Sequence, residues 1–222
     1  MKRIFAITFF AIIAFPFAAY AVGLGVYGTG GANFNTWESR MGSYSSQDFL
    51  YGGGLVIDSN VAKNDIFNYR FNCGYSKYRI KDPQSGMIID PFHRVGVSNI
   101  FGFGLLRAET VRFWIGPRID AHYIFKRKSI NDIEIAGYYI IPIKRTIKID
   151  LININALCAL GVNVNLGSLL TLFFDMGVGY MGVYNINQYE NGHGFGLDGR
   201  LGVLFRINDR YTSELSAMRG NL

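Results

Sequence analysis

The 222-residue chain predicts an all-β fold: an antiparallel, up-and-down transmembrane β-barrel of eight strands. Three observations carry that prediction. Val111 to Phe125 alternates, with Val111, Phe113, Ile115, Pro117, Ile119, Ala121, Tyr123 and Phe125 at odd positions and Arg112, Arg118, Asp120 and His122 at even ones. Successive side chains of a strand point to opposite faces, so this stretch has one apolar and one charged face, and Pro117 argues against a helix. The N-terminus reads as an export signal, and export is a precondition for such a barrel. The connections between alternating segments are in turn short and long, as when short turns lie on one side of a membrane and longer loops on the other.

Export comes from Met1-Lys2-Arg3, the apolar run Ile4 to Ala18 and the small-residue site Ala19-Tyr20-Ala21. Residues 1–21 are therefore expected to be a cleaved signal peptide, with the barrel over 22–207. No cysteine follows the cleavage region, which excludes a lipoprotein signal. Lys2 and Arg3 would leave with the signal, lowering the formal charge of +6 by two. An exported chain of modest charge and no nucleic-acid motif is not expected to bind nucleic acid. The 27 Gly, 14 Tyr and 18 Phe suit tightly curved strands with aromatic girdles.

The strands follow in order. Val22 to Trp37 is Gly-rich and alternating, and Glu38 to Asp48, rich in Ser and Gly, reads as a polar loop. Phe49 to Val61 is the second strand, ended by the turn Ala62-Lys63-Asn64-Asp65. Phe67 to Tyr75 sets Phe67, Tyr69, Phe71, Cys73 and Tyr75 against Asn68, Arg70, Asn72 and Gly74. A loop with Asp82-Pro83 and Ser85-Gly86 leads to a fourth strand, Phe92 to Leu105. Leu106 to Glu109 turns into Val111 to Phe125, and the longest connection spans Lys126 to Lys148. Its Ile-Tyr-Tyr-Ile-Ile centre suggests a hairpin or strands reaching beyond a membrane.

Leu151 to Phe174 is 24 residues without a charge, long enough for a membrane helix. Asn153, Asn155, Asn163 and Asn165 fall at period two within it, and that is a strand signature; four Asn would be costly in a helical span. Leu166-Gly167-Ser168 breaks the run into a hairpin. Leu170 to Tyr184 alternates again, Asn185 to Gly194 reads as a loop, and Leu197 to Ile207 closes the series. Residues 208–222 are a short tail or the start of a further strand. Cys73 and Cys158 lie among the apolar positions of their strands and are expected as separate lipid-side thiols, although a single bridge is open to an exported protein.

By this pattern, most of the chain resembles the small outer-membrane β-barrels, the layout of outer-membrane protein A and its relatives. The resemblance implies an outer-membrane location, a partnership with outer-membrane lipid, a monomer, and no cofactor or metal. It also implies a structural or adhesin-like, surface-binding role, with a narrow pore or small-solute transport barrel as the alternative. Those barrels usually finish on a terminal aromatic, whereas this sequence ends at Leu222. A secreted lipocalin-like barrel, with the apolar face inward, is a further alternative.

Two sets of residues are candidates for function. Arg70, Arg112, Arg118, Asp120, His122, Asp175, Asp198 and Arg200 would face the lumen, where charges must be paired and hydrogen-bonded. They form either a salt-bridged plug or a narrow path. Lys126, Arg127, Lys128, Lys144 and Arg145 lie in the longest connection and are candidates for binding an anionic glycolipid or a host ligand. Catalysis is not expected. The His-x-Ser pair of lipid A deacylases is absent, and His93 near Asp90 and His193 near Asp198 are the nearest thing to a base and its orienter.

Overall fold

The structure, a computed structural model, describes residues 22–39, 42–59, 66–81, 91–108, 110–136, 139–186 and 191–207; the side chains at 128–136 and 139–147 lie outside that description. The expected signal peptide, the expected turn at Ala62-Lys63-Asn64-Asp65, the expected loop around Asp82 and residues 208–222 also lie outside it. Eight strands follow in sequence: β1 (Val22–Ser39), β2 (Gly42–Asp58), β3 (Phe67–Lys81), β4 (Phe92–Arg107), β5 (Val111–Ala136), β6 (Tyr139–Leu166), β7 (Leu170–Asn185) and β8 (Asn191–Ile207). Each pairs antiparallel with the next, and β1 pairs with β8 from Val22↔Ile207 to Glu38↔Asn191, closing the barrel. The expected all-β, up-and-down, eight-stranded architecture is the one the chain forms.

Alternation assigns the two faces. On β5, Arg112, Trp114, Arg118, Asp120 and Ile124 are buried inside, whereas Ile115, Ile119 and Tyr123 are exposed. The outer wall carries exposed Val26, Leu55, Phe103, Ile154, Val178, Phe195 and Leu201, from strands all round the barrel. Water-soluble monomers rarely expose apolar patches beyond a few hundred Å². An apolar belt around a closed barrel with a charged interior is the transmembrane arrangement. The lipocalin-like alternative needs the reverse, and the outward position of this face excludes it.

Strand length corrects the expected loops. A strand crosses a bilayer in about 9–11 residues, yet these strands run from 15 to 28 residues. Glu38 to Asp48, read as a loop, is paired strand up to Glu38↔Ser43 and Ser39↔Gly42. The longest connection carries the extended strands that its Ile-Tyr-Tyr-Ile-Ile centre suggested, with β5 and β6 paired through to Ala136↔Tyr139. β8 begins at Asn191, inside the expected final loop. On β2 the inward side chains Ser46 and Asp48 are polar although buried, so alternation in polarity fades while backbone pairing continues. At the opposite end, the chain turns tightly between β6 and β7 with Gly167 at φ +65°, a left-handed conformation suited to glycine.

Interior volume is matched by glycine where a large ring needs room. Trp114 is fully buried on β5 and pairs with Gly161 on β6. A Cβ at Gly161 would stand 2.3 Å from Trp114 Cζ2. Gly161→Val is therefore expected to destabilise the barrel by about 1–3 kcal/mol through overpacking. Urea unfolding of the refolded protein checks this; an unchanged midpoint would show that Trp114 does not lie against β6.

Candidate functional site

The inward faces build a filled lumen in three levels. Nearest the end where the chain enters and leaves the barrel, Arg70 of β3 reaches three other strands. Its Nε donates to Asp58 Oδ2 at 2.8 Å, Nη1 to Asp175 Oδ2 at 2.9 Å and Nη2 to Asn163 Oδ1 at 2.7 Å. The guanidinium carbon lies 4.3 Å from the Phe173 ring centre and 5.3 Å from that of Trp114. Arg112 is also buried there, with Nη2 at 3.4 Å from the Ile66 carbonyl and 3.5 Å from Asn68 Oδ1.

The middle level is organised by Arg118. Its Nε and Nη2 donate to the two oxygens of Asp120 at 2.8 and 2.6 Å, while Nη1 and Nη2 donate to those of Asp198 at 2.5 and 2.6 Å. One guanidinium thus holds two carboxylates bidentately, one on its own strand and one across the barrel on β8, the strongest form of such pairing. Arg200 Nη1 donates to Ser98 Oγ at 2.9 Å, and its Nη2 stands 3.7 Å from Asp120 Oδ1. Arg94 Nη2 lies 2.9 and 3.1 Å from the ring nitrogens of half-buried His122 and 3.4 Å from Asn153 Oδ1.

Towards the hairpin end, Asp48 accepts from Asn35 Nδ2, from the Tyr78 hydroxyl and from Ser46 Oγ, the last at 2.8 Å. Trp37 Nε1 donates to the same Ser46 Oγ at 2.9 Å. Around this polar knot, Trp37, Leu50, Tyr78, Phe92, Ile124, Leu151, Met181 and Val183 pack into an apolar cluster across the barrel interior. The void beside the middle level is about 20 Å³, space for little more than one water molecule.

Of the eight lumen candidates, the structure brings Arg70 to Asp175, and Arg118 to Asp120, Asp198 and, more loosely, Arg200. His122 meets Arg94, and Arg112 lies apart near the chain-terminus end. Asp58 and Arg94 belong to the same machinery but escaped the sequence reading. Both stand at inward parity on their strands, Asp58 two residues from buried Val56 and Arg94 two from buried Phe92, and that parity was the available signal.

The basic candidates separate. Lys126 occupies an inward position, its Nζ 5.0 Å from the Phe92 ring centre, so it does not belong to an outer surface patch; alternation on β5 turns it inward. Arg127 points outward and pairs with Asp150 at 2.8 Å, which Lys148 approaches to 3.4 Å. Lys128, Lys144 and Arg145 lie on the β5–β6 ribbon, in the pairs Lys128↔Ile147, Asn131↔Lys144 and Ile130↔Arg145, with side chains outside the described residues.

A basic stripe that the sequence reading passed over stands on β3. Its outward positions run Phe67, Tyr69, Phe71, Cys73 and Tyr75, then Lys77, Arg79 and Lys81. Aromatic residues mark the change: Arg79 lies over Tyr51 at 5.4 Å, His93 stacks on Phe125 at 5.4 Å, and Tyr75 OH is 2.6 Å from His93 Nδ1. Tyr and Phe at such a boundary form an interfacial girdle.

Of the two His–Asp pairs considered for catalysis, only His193 and Asp198 both lie among the described residues, and they are not paired. His93 belongs to the girdle, Asp90 lies outside the description, and His193 stacks on Tyr180 at 6.2 Å while Asp198 is held inside by Arg118. Cys73 and Cys158 are free thiols at outward positions of β3 and β6.

No family model matches the chain, and no curated protein matches it. Among solved structures it is similar to the outer membrane protein OprG from Pseudomonas aeruginosa, at 7% identity over 86% of this chain and 98% of that one, with a TM-score of 0.47. It is similar to the attachment invasion locus protein Ail of Yersinia pestis at 11% identity, over 83% and 99% of the two chains, with a TM-score of 0.34. Neisserial surface protein A is similar at 15% identity, over 79% and 95%, with a TM-score of 0.32.

Proposed function

We propose that the chain is a non-catalytic, monomeric outer-membrane barrel with a lumen held shut by ion pairs, and that it acts as a scaffold for binding anionic ligands at its hairpin end. The filled lumen carries this reading. Two arginine-centred clusters and an apolar layer occupy the interior, so the outer wall and hairpins are where the described residues offer a ligand room. The ligand's charge is argued from β3, where Lys77, Arg79 and Lys81 replace apolar side chains just beyond the aromatic girdle. Clustered like charge at a membrane boundary attracts anionic headgroups. The phosphates of a surface glycolipid fit that position, and Arg127, Lys128, Lys144 and Arg145 of the β5–β6 ribbon, one strand beyond β4, are the candidates for a host ligand. A narrow pore is the second reading, and the void beside Arg94, His122 and Arg200 favours it.

Planar-bilayer recording separates the two. Protein proved folded by a mobility shift between boiled and unboiled samples is expected to give a closed trace; steady, reproducible conductance would establish the pore instead. For the binding face, the K77Q/R79Q/K81Q variant is expected to bind lipopolysaccharide micelles roughly a hundredfold more weakly, at about 1 kcal/mol for each basic residue near an anionic surface. Equal affinity in titration calorimetry would remove the β3 stripe from the site.

A further inference from the structure

We propose that the middle of the lumen binds one small inorganic anion, of the size and charge of chloride, between Arg94 and Arg200. Three buried donors lack a hydrogen-bond partner among the described residues and belong to side chains that line one void: Arg94 Nε, Arg200 Nε and Asn72 Nδ2, with the acceptor Asn72 Oδ1 beside them also unpartnered. Their residues are 4%, 4% and 0% exposed, so bulk water does not satisfy them. The void is about 20 Å³, enough for a particle of water or halide size.

Charge distinguishes the two occupants. This level holds the guanidiniums of Arg94, Arg118 and Arg200 against the carboxylates of Asp120 and Asp198. Arg118 engages all four carboxylate oxygens at 2.5 to 2.8 Å. Arg200 has only the 3.7 Å approach to Asp120, and Arg94 has a histidine and an asparagine. An imidazole that accepts from Arg94 is neutral, since imidazolium has no lone pair to offer. Within this level the guanidiniums outnumber the carboxylates by one positive charge; the next buried carboxylate, Asp48, accepts from Asn35, Ser46 and Tyr78 and from no guanidinium. A water molecule answers the donors and leaves that charge uncompensated in a low-dielectric interior, whereas one monovalent anion answers both. Asp198 also lines the void, but its two oxygens are turned to Arg118.

Crystals of the refolded barrel soaked in sodium bromide test the site by anomalous scattering. A bromide peak is expected between the Arg94 and Arg200 side chains. In parallel, the urea-unfolding constant is expected to fall about tenfold when chloride reaches ten times its dissociation constant. Gluconate, which is too large for the void, should have no saturable effect at matched ionic strength. Arg94→Met should remove both responses. No peak at this position even in molar bromide, together with identical unfolding in chloride and gluconate, would overturn the proposal; so would a peak that survives Arg94→Met. If that variant does not refold, the bromide map of the unaltered protein decides the question alone.

Discussion

Arg118→Met is expected to cost the barrel about 3–5 kcal/mol, the loss seen when one partner of a buried ion pair is removed. The reason is what remains behind. Asp120 and Asp198 are 0% and 8% exposed, and they would face each other across the lumen without the cation that now forks to both. The urea midpoint of the protein in lipid vesicles should drop accordingly, or the mobility shift of the unboiled sample should vanish. A double variant that also carries Asp198→Asn should recover much of the loss, because it removes the stranded carboxylate while Asp120 keeps Arg200. That recovery separates charge from packing. An Arg118→Met barrel within 1 kcal/mol of the unaltered one would mean the double fork is not formed.

Ile119→Arg carries the second large effect, about 2–4 kcal/mol of destabilisation in a bilayer. Ile119 is 51% exposed on the outer wall, paired with Asn99 of β4 and Ala156 of β6. Its outward neighbours on β5 are Ile115, Pro117, Ala121 and Tyr123, so the new charge would enter the middle of the apolar belt. On a surface bathed in water the same exchange would fall within about 0.5 kcal/mol. Ser45→Arg, on the exposed hairpin end of β2, is the control expected to stay in that range. Equal unfolding of both variants and the parent in vesicles would contradict the lipid-facing assignment.

What the sequence made legible was the part of each strand that lies in the belt. Between Val111 and Phe125 the lipid face and the lumen face differ so sharply that period two assigns every side chain, and eight such segments fix the barrel. The pattern fails where its cause stops. From Glu38 to Asp48 the inward side chains Ser46 and Asp48 are polar although buried, so polarity no longer separates the two faces and the stretch reads as a loop; from Lys126 to Lys148 only the Ile-Tyr-Tyr-Ile-Ile centre hinted at continuing strands. Partnership inside the lumen was also hidden. Arg70 joins Asp58, Asn163 and Asp175 only because barrel closure brings β2, β3, β6 and β7 around one point, and no local pattern encodes that meeting. Lys126 shows the converse: a basic run suggested one surface, and alternation sends adjacent Lys126 and Arg127 to opposite sides.

The seam between β1 and β8 bears on the order of assembly. Every other neighbouring pair is a hairpin, so its partners are close along the chain and can zip locally. The closing pair runs from Val22↔Ile207 to Glu38↔Asn191 and joins the most distant parts of the described chain. Contacts of such high sequence separation form slowly, because the intervening chain must be organised first. Until β8 arrives, β1 presents an unpaired edge inviting association with another chain. Closure is then the step at which a partly assembled sheet either becomes one sealed molecule or aggregates with its neighbours. A chaperone or insertase that shields the β1 edge until β8 is delivered would act at the most vulnerable moment in the life of this protein.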